Sequence, residues 1–206
     1  MLADSLYCVG IDEAGRGPLA GPVAVGAVMM PRVDCADIFS LLPGIRDSKK
    51  LSEKKREILY EHMCVLRREN KIAFAVGLVS HAVIDARGIV AAVAEGIASV
   101  LEKISADPQR CTVLLDGSIF APACFVDQQT IIRGDETEPI ISLASIAAKV
   151  VRDRKMKELA LRYPLYGFEI HKGYGTKVHY EAIRLYGLSD IHRHSYLKSV
   201  TKSVVV

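Results

Sequence analysis

The stretch from residue 7 to residue 30 constrains the fold most strongly. An apolar run, Tyr7–Ile11, is followed at once by two carboxylates and a loop of glycine and proline residues, and then by a second apolar run, Val23–Met30. Both runs have the length and composition of strands, and the second is apolar enough to be buried on both faces. Because the loop between them is too short to hold a helix, the sequence predicts an antiparallel pair.

Strand-like and helix-like segments follow one another along the rest of the chain. Ser52 is suited to cap a helix whose apolar residues recur at helical spacing. A long helical segment joins the third and fourth strands, which predicts a right-handed crossover between paired parallel strands. Residues 197–206 are expected to form a loosely held tail. The remaining predicted segments are strands at 72–79, 112–115 and 130–132 and helices at 83–104, 140–161 and 177–186.

Composition is that of an ordinary globular protein. The chain has 206 residues, of which 50% are hydrophobic and 25% charged, enough to bury a real core. We expect an α/β catalytic core over residues 1–161 and a C-terminal helical extension over residues 162–206. The formal net charge of +3 permits a nucleic-acid partner but does not require one.

Cysteine usage and hydropathy indicate a cytoplasmic protein. The five cysteines are odd in number and include no C-x-x-C pair, so neither a disulfide framework nor a zinc site is indicated. The first seven residues lack the basic and apolar regions of a signal peptide. The longest apolar span, Ile89–Leu101, is interrupted by Glu95 and is too short to cross a bilayer.

Four carboxylates are predicted to follow strands of the sheet: Asp12, Glu13, Asp116 and Asp135. Ligands of α/β sheets gather at the carboxyl ends of strands, so these acids converge if the first and fourth strands are neighbours. Oxygen ligands without histidine or cysteine favour Mg²⁺ or Mn²⁺ over zinc. Two such ions can hydrolyse a phosphodiester without a side-chain base. The alternative is that each acid occupies an ordinary polar turn.

Basic and glycine-rich segments accompany these acids. Gly15, Arg16 and Gly17 offer backbone N–H groups and one guanidinium, a combination suited to phosphate. Lys49 and Lys149 are candidates for binding the backbone phosphates of a nucleic acid. The alternative is that both are ordinary solvated lysines.

Asp153 is interpreted as structural. It follows Lys149 by four residues within a predicted helix, the spacing of an ion pair on one helix face.

Taken together, these motifs resemble those of the bacterial type 2 ribonucleases H, the ribonuclease HII family. The resemblance covers nearly the whole chain, and its most specific parts are the first motif and the Lys-Gly-Tyr-Gly-Thr motif. It implies a ribonuclease-H-like fold, with a mixed five-stranded sheet flanked by helices. The matching segments are 10–23, 47–51, 115–117, 134–135, 144–150, 152–153, 171–176 and 191–193.

The resemblance also implies an activity and a set of roles. It implies cleavage of the RNA strand of RNA–DNA hybrids, including single ribonucleotides embedded in duplex DNA, with two Mn²⁺ or Mg²⁺ ions. Gly15, Arg16 and Gly17 would read the ribose 2′-OH and hold the adjacent phosphate, and Tyr174 would stack on the sugar at the RNA-to-DNA junction. The implied metal ligands and catalytic residues are Asp12, Glu13, Asp116 and Asp135.

Other functions remain open at this point. One is another metal-dependent nuclease of the same architecture, such as a junction resolvase, although an enzyme specific for DNA has no use for a 2′-OH sensor. A second is a hybrid-binding module without catalysis. A phosphatase suggested by Asp116-Gly117 is weakly supported, because no second nucleophile motif is present. A monomer is expected, and no motif for binding a sliding clamp is visible.

Overall fold

The protein is described from a computed structural model, which covers residues 5–38, 42, 45 and 51–198. The described strands form one five-stranded sheet in the order β3-β2-β1-β4-β5. The strands are β1 Tyr7–Ala14, β2 Val23–Pro31, β3 Ala73–Val79, β4 Cys111–Asp116 and β5 Gln128–Ile131.

Strand pairing brings the ends of β1 and β4 together. β1 and β2 are antiparallel, which confirms the prediction from the short loop between them, and β1 and β4 are parallel neighbours. In the β1–β4 pair Ile11 lies opposite Leu115, so the next residues, Asp12 and Asp116, reach the same edge of the sheet. β5 continues the parallel arrangement beyond β4.

The predicted pairing of the third and fourth strands is wrong. β3 pairs with β2, β4 pairs with β1, and the hairpin of β1 and β2 lies between them. β2 is almost entirely buried. A strand buried in this way needs a hydrogen-bonding neighbour on each side. β3 therefore pairs with the edge of β2 that β1 leaves free.

Helices cover both faces of the sheet. α2 packs on one face in a hydrophobic cluster with β1, β2 and β4, while α1 and α4 pack on the other. Ser52, Ser80 and Thr176 cap α1, α2 and α6 by accepting hydrogen bonds from the first turns. The helices are α1 Glu53–Arg68, α2 His81–Lys103, α3 Gly134–Thr137, α4 Pro139–Arg162, α5 Phe168–His171 and α6 Lys177–Tyr186.

α4 lies directly on the sheet, and this contact positions part of the site. A Cβ placed on Gly26 of β2 would lie 2.3 Å from the carbonyl oxygen of Ala144 in α4, so only glycine allows this approach. The close packing brings Ser145 and Lys149 of α4 beside the end of β1, where Asp12 lies.

The loop between β1 and β2 is held by segments from the C-terminal part of the chain. Leu19 N donates to Gly173 O at 2.8 Å, and Arg193 N donates to Leu19 O at 2.7 Å. Gly21 N donates to Ile191 O at 2.9 Å. The loop therefore lies between two segments that are more than 150 residues away in sequence.

Several predicted boundaries need correction. β1 continues to Ala14, because β2 pairs with it that far, so Asp12 and Glu13 lie inside the strand rather than after it. Asp135 lies in the short helix α3 rather than directly after β5. Leu197 is fully buried rather than part of a loose tail. Residues 199–206 lie outside the described residues.

Among the described helices, none combines the length and hydropathy needed to span a membrane.

Candidate active site

A cavity of about 420 Å³ opens at the edge of the sheet where β1 and β4 end. It gathers residues from β1, the β1–β2 loop, α1, β4, α3, α4 and the segment before α6. The described residues that line it are Asp12, Glu13, Ala14, Gly15, Arg16, Gly17, Arg56, Asp116, Asp135, Ser145, Ile146, Lys149 and Tyr174.

All four predicted carboxylates line this cavity. Asp12 and Asp135 are buried, with 6% and 2% of their surface exposed, while Glu13 and Asp116 are partly exposed. Asp135 N donates to Asp116 Oδ1 at 3.4 Å, so the start of α3 is tied to the end of β4. Strand pairing and one short helix therefore bring the four acids to one cavity, and their role as metal ligands stays a prediction.

Burial makes ionisation of these acids costly. Burial raises the pKa of Asp12 to about 8; a hydrogen bond from Ser145 opposes this rise, and the charges of Glu13 and Asp116 add to it. Burial also raises the pKa of Glu13, while an ion pair with Arg16 at 3.1 Å opposes it. A cation between these groups would favour their charged forms.

The carboxylates share the cavity without forming a ready coordination shell. In the described part of the chain, no three histidine, cysteine, aspartate or glutamate side chains stand close enough to hold one metal ion as they are. Two of the acids already have other contacts: Glu13 Oε1 accepts from Arg16, and Asp12 Oδ1 accepts from Glu13 N at 2.7 Å. Like charges in one cavity also repel. Small side-chain rotations toward a cation would be needed.

The donor set fits a hard divalent cation. The described lining residues include four carboxylates and a serine, and neither a thiol nor an imidazole is among them. Carboxylate oxygens suit Mg²⁺ and Mn²⁺, whereas zinc sites favour sulfur and nitrogen. Asp12, Glu13, Asp116 and Asp135 are the residues that could hold such ions.

The glycine-rich loop forms the wall beside the acids. Gly15 has a φ of +97°, and a Cβ there would fall 1.9 Å from Nε of the buried Arg152, so no other residue fits. Gly15, Arg16 and Gly17 line the cavity next to Glu13. Main-chain groups of the loop are thus placed within reach of a ligand in the cavity.

Tyr174 also lines the cavity, and its carbonyl oxygen is bound by His179, which in turn contacts His192. His179 Nδ1 donates to Tyr174 O at 2.9 Å, and His179 Nε2 lies 3.0 Å from His192 Nε2. Because His192 Nδ1 accepts from Ser189 N at 2.8 Å, the proton of His192 is on Nε2 and points to His179. Both imidazoles are therefore neutral, and burial lowers the pKa of each to about 4.

The two candidate lysines differ in what the structure describes. Lys149 lines the cavity and forms an ion pair with the buried Asp153 at 2.8 Å, as the four-residue spacing predicted. Lys49 lies outside the described residues.

Sequence reasoning missed two polar lining residues, Ser145 and Arg56. Ser145 precedes Lys149 by one helical turn, so the spacing of the two could have indicated it. Local sequence contains no sign that Arg56 of α1 reaches the cavity. Arg152 lies in the strongly charged part of α4, yet it is fully buried beneath the loop.

Comparison with known proteins agrees with the geometry. The model of the family described as ribonuclease HII matches residues 9–199. The ribonuclease HII of Bacillus cereus (strain B4264) is 47% identical over 190 residues, which cover 92% of this chain and 68% of the relative. That of Geobacillus kaustophilus (strain HTA426) is 46% identical over 187 residues, covering 91% of this chain and 66% of the relative.

Solved structures share the fold. The ribonuclease H2 of Pyrococcus horikoshii OT3 superposes with a TM-score of 0.75 at 25% identity, covering 96% of this chain and 98% of that one. The structure of Bst-RNase HIII in complex with Mn²⁺ superposes with a TM-score of 0.71 at 18% identity, covering 99% of this chain and 72% of that one. These similarities confirm the expected ribonuclease-H-like α/β fold.

Proposed function

The chain belongs to the ribonuclease HII family, and we propose that it cuts duplex DNA on the 5′ side of single embedded ribonucleotides, leaving 5′-phosphate and 3′-hydroxyl ends. Members of this family are ribonucleases H, so the protein is an endoribonuclease that acts on RNA–DNA hybrids. The finer activity rests on one observation: the four carboxylates line the same cavity as the glycine-rich loop and Tyr174.

The acidic half of the cavity would supply the metal site. Mg²⁺ or Mn²⁺ ions, when bound there, would polarise the scissile phosphate and lower the pKa of an attacking water. The residues that would hold them are Asp12, Glu13, Asp116 and Asp135. Ser145 favours the charged form of Asp12, and the contact between Asp135 N and Asp116 Oδ1 keeps those two acids together.

The other half of the cavity would recognise the ribonucleotide. The 2′-OH is the group by which a protein tells RNA from DNA at one position, and main-chain groups of Gly15, Arg16 and Gly17 can approach it without an intervening side chain. Tyr174, with 43% of its surface exposed, presents a ring that can stack on the neighbouring deoxyribose. In this proposal the C-terminal extension, residues 162–206, contributes that ring to a core formed by residues 1–161.

Positive charge beside the cavity would hold the nucleic-acid backbone. Lys149 lines the cavity with 31% of its side chain exposed, and its pairing with Asp153 fixes its direction. Arg56 is placed to contribute from α1. Lys49 is proposed from the resemblance alone.

A cleavage assay tests the proposal. Duplex DNA carrying one ribonucleotide is incubated with the protein and Mg²⁺ or Mn²⁺, and in parallel with EDTA. We expect one cut on the 5′ side of the ribonucleotide, abolished by the chelator, and no cut in the same duplex made entirely of DNA. Cleavage of long hybrids without cleavage at the single ribonucleotide would refute the finer activity.

The same assay separates the competing functions. Equal cutting of branched substrates made only of DNA would indicate a junction resolvase. Binding of the ribonucleotide duplex without cutting in either metal would indicate a hybrid-binding module. The presence of all four acids in one cavity supports the nuclease over that module.

A further inference from the structure

Two arginines are completely buried behind the β1–β2 loop. Arg152 and Arg193 each have 0% of their surface exposed. Among the described residues, no carboxylate lies within ion-pair distance of either guanidinium, and the hydrogen bonds that both make go to main-chain carbonyl oxygens. Burying an arginine without an acid is costly, and the carbonyl contacts offset part of that cost.

Arg193 binds both ends of the loop with one planar group. Its Nη2 donates to Gly15 O at 2.7 Å and its Nη1 donates to Arg16 O at 2.8 Å. Its Nε donates to Gly21 O at 3.0 Å. The hydroxyl of Tyr196 donates to the same Arg16 O at 3.0 Å. Two successive carbonyls of the loop are therefore turned toward the protein interior.

Peptide geometry fixes where the following N–H groups point. The described chain contains no cis peptide bond, and in a trans peptide the C=O and the next N–H point in opposite directions. Since the carbonyls of Gly15 and Arg16 face Arg193, the N–H groups of Arg16 and Gly17 face away from it. Successive N–H groups next to a residue at positive φ form a concave site for anions, and Gly15 has that conformation. Among the described residues, no group accepts a hydrogen bond from either N–H.

Arg152 adds charge and a second connection. Its Nε donates to Pro22 O at 2.9 Å, and its Nη2 donates to Lys172 O at 3.1 Å, so it joins the loop to the segment that carries Tyr174. The carbon of its guanidinium lies 5.8 Å from the centre of the Tyr174 ring. A second positive charge thus lies close behind the wall that would face an anion.

We propose that Arg193 is a positioning residue for recognition of the ribonucleotide: it holds the carbonyls of Gly15 and Arg16 so that the next two N–H groups face the phosphate beside the ribose. This inference rests on the proposed function, because it assigns the loop its ligand. Arg193 itself touches no substrate. A lysine in its place keeps the charge but cannot span three carbonyl oxygens, whereas the arginine fork can.

The test measures preference rather than activity alone. The dissociation constants for a duplex carrying one ribonucleotide and for the matched DNA duplex are measured in Ca²⁺, under conditions checked to give no cleavage. Wild type is expected to prefer the ribonucleotide duplex. In Arg193→Lys the preference, measured as the ratio of the two dissociation constants, is expected to fall about tenfold, while the affinity for the DNA duplex changes little. General damage to the fold would weaken both affinities instead. Arg184→Lys, the same change at an exposed site of α6, is the matched control and should behave as wild type.

A milder variant keeps the test decisive if Arg193→Lys does not fold. Tyr196→Phe removes only the second hydrogen bond to Arg16 O and is expected to reduce the preference two- to tenfold. If Arg193→Lys folds and keeps the wild-type preference, the role of Arg193 is overturned. If Arg193→Lys does not fold, a wild-type preference in Tyr196→Phe overturns it. Wild type that shows no preference and does not cut at the ribonucleotide would overturn the proposed function, and the role of Arg193 with it.

Discussion

The acidic half of the cavity and the glycine-loop half are built in different ways. The acids reach one place because strand pairing puts the ends of β1 and β4 side by side, but their oxygens do not converge on a common point. The loop, in contrast, is fixed by buried side chains that bind its carbonyls, with Arg193 alone making three such bonds.

The difference follows from charge. Four carboxylates cannot be drawn together by the protein alone, since each approach raises their repulsion and burial already raises the pKa of Asp12 to about 8. Neutral carbonyl and amide groups carry no such penalty and can be held before a ligand arrives. The glycine-loop half is thus preorganised, while the carboxylates of the acidic half need a cation before their oxygens can converge.

The largest effect is expected from Asp135→Asn. Asp135 is a proposed metal ligand, so its loss should reduce the single-turnover cleavage rate by more than about 100-fold. A loss of about 100-fold is the upper range for removing a residue that only hydrogen-bonds to a metal ligand. The matched variant is Asp153→Asn, which disrupts the Lys149 ion pair and should mainly lower the free energy of unfolding, by roughly 1–3 kcal/mol. Comparable loss of cleavage in a folded Asp153→Asn would reverse the two assignments.

Tyr174→Ala comes next. Removing the ring should lower kcat/KM on a duplex with one ribonucleotide by about 10- to 100-fold, the range expected for an aromatic stacking contact. Tyr174→Phe keeps the ring and should lose much less. Equal losses in the two variants would mean that the hydroxyl, rather than stacking, carries the contribution.

Metal binding to the acidic half should raise the free energy of unfolding, and this effect can be measured without substrate. Mg²⁺ or Mn²⁺ at 100 times its dissociation constant should add about 2.7 kcal/mol to the free energy of unfolding of the wild type. Asp116→Asn removes one like charge, so in EDTA it should be more stable than wild type by about 1 kcal/mol and should gain less from metal. Chemical unfolding with and without EDTA measures both. A variant less stable than wild type in EDTA would contradict the repulsion argument.

The smallest effect concerns the histidines that anchor Tyr174. Folding lowers the pKa of His179 and His192 from 6.5 to about 4, so between these values the unfolded chain binds more protons and stability falls as pH falls. From pH 7 to pH 6 the loss should be below about 1 kcal/mol for each imidazole. His192→Gln should make the free energy of unfolding less dependent on pH over this range. An unaltered slope in His192→Gln would contradict the neutral pair.

Sequence patterns predicted the secondary structure of the site because those patterns are local. The helix over Lys177–Tyr186 agrees residue by residue, since Thr176 and Gly187 mark its ends. Sequence patterns located the five described strands, with ends that moved by one to three residues in either direction. The partner of β3 could not be predicted, because the choice depended on which edge of the β1–β2 hairpin stayed free.

The sequence by itself determined which groups are present for chemistry: four acids near strand ends, a Gly-Arg-Gly loop and a tyrosine. The acids and the loop lie within a few residues of one another or near strand ends, so short-range rules detect them, whereas Tyr174 was indicated by a family motif. Only the tertiary structure decided what fixes their positions. Arg193 and Gly15 are 178 residues apart, and His179 meets His192 across a turn of the chain. No local period encodes such contacts, because they arise when buried polar groups find partners during packing.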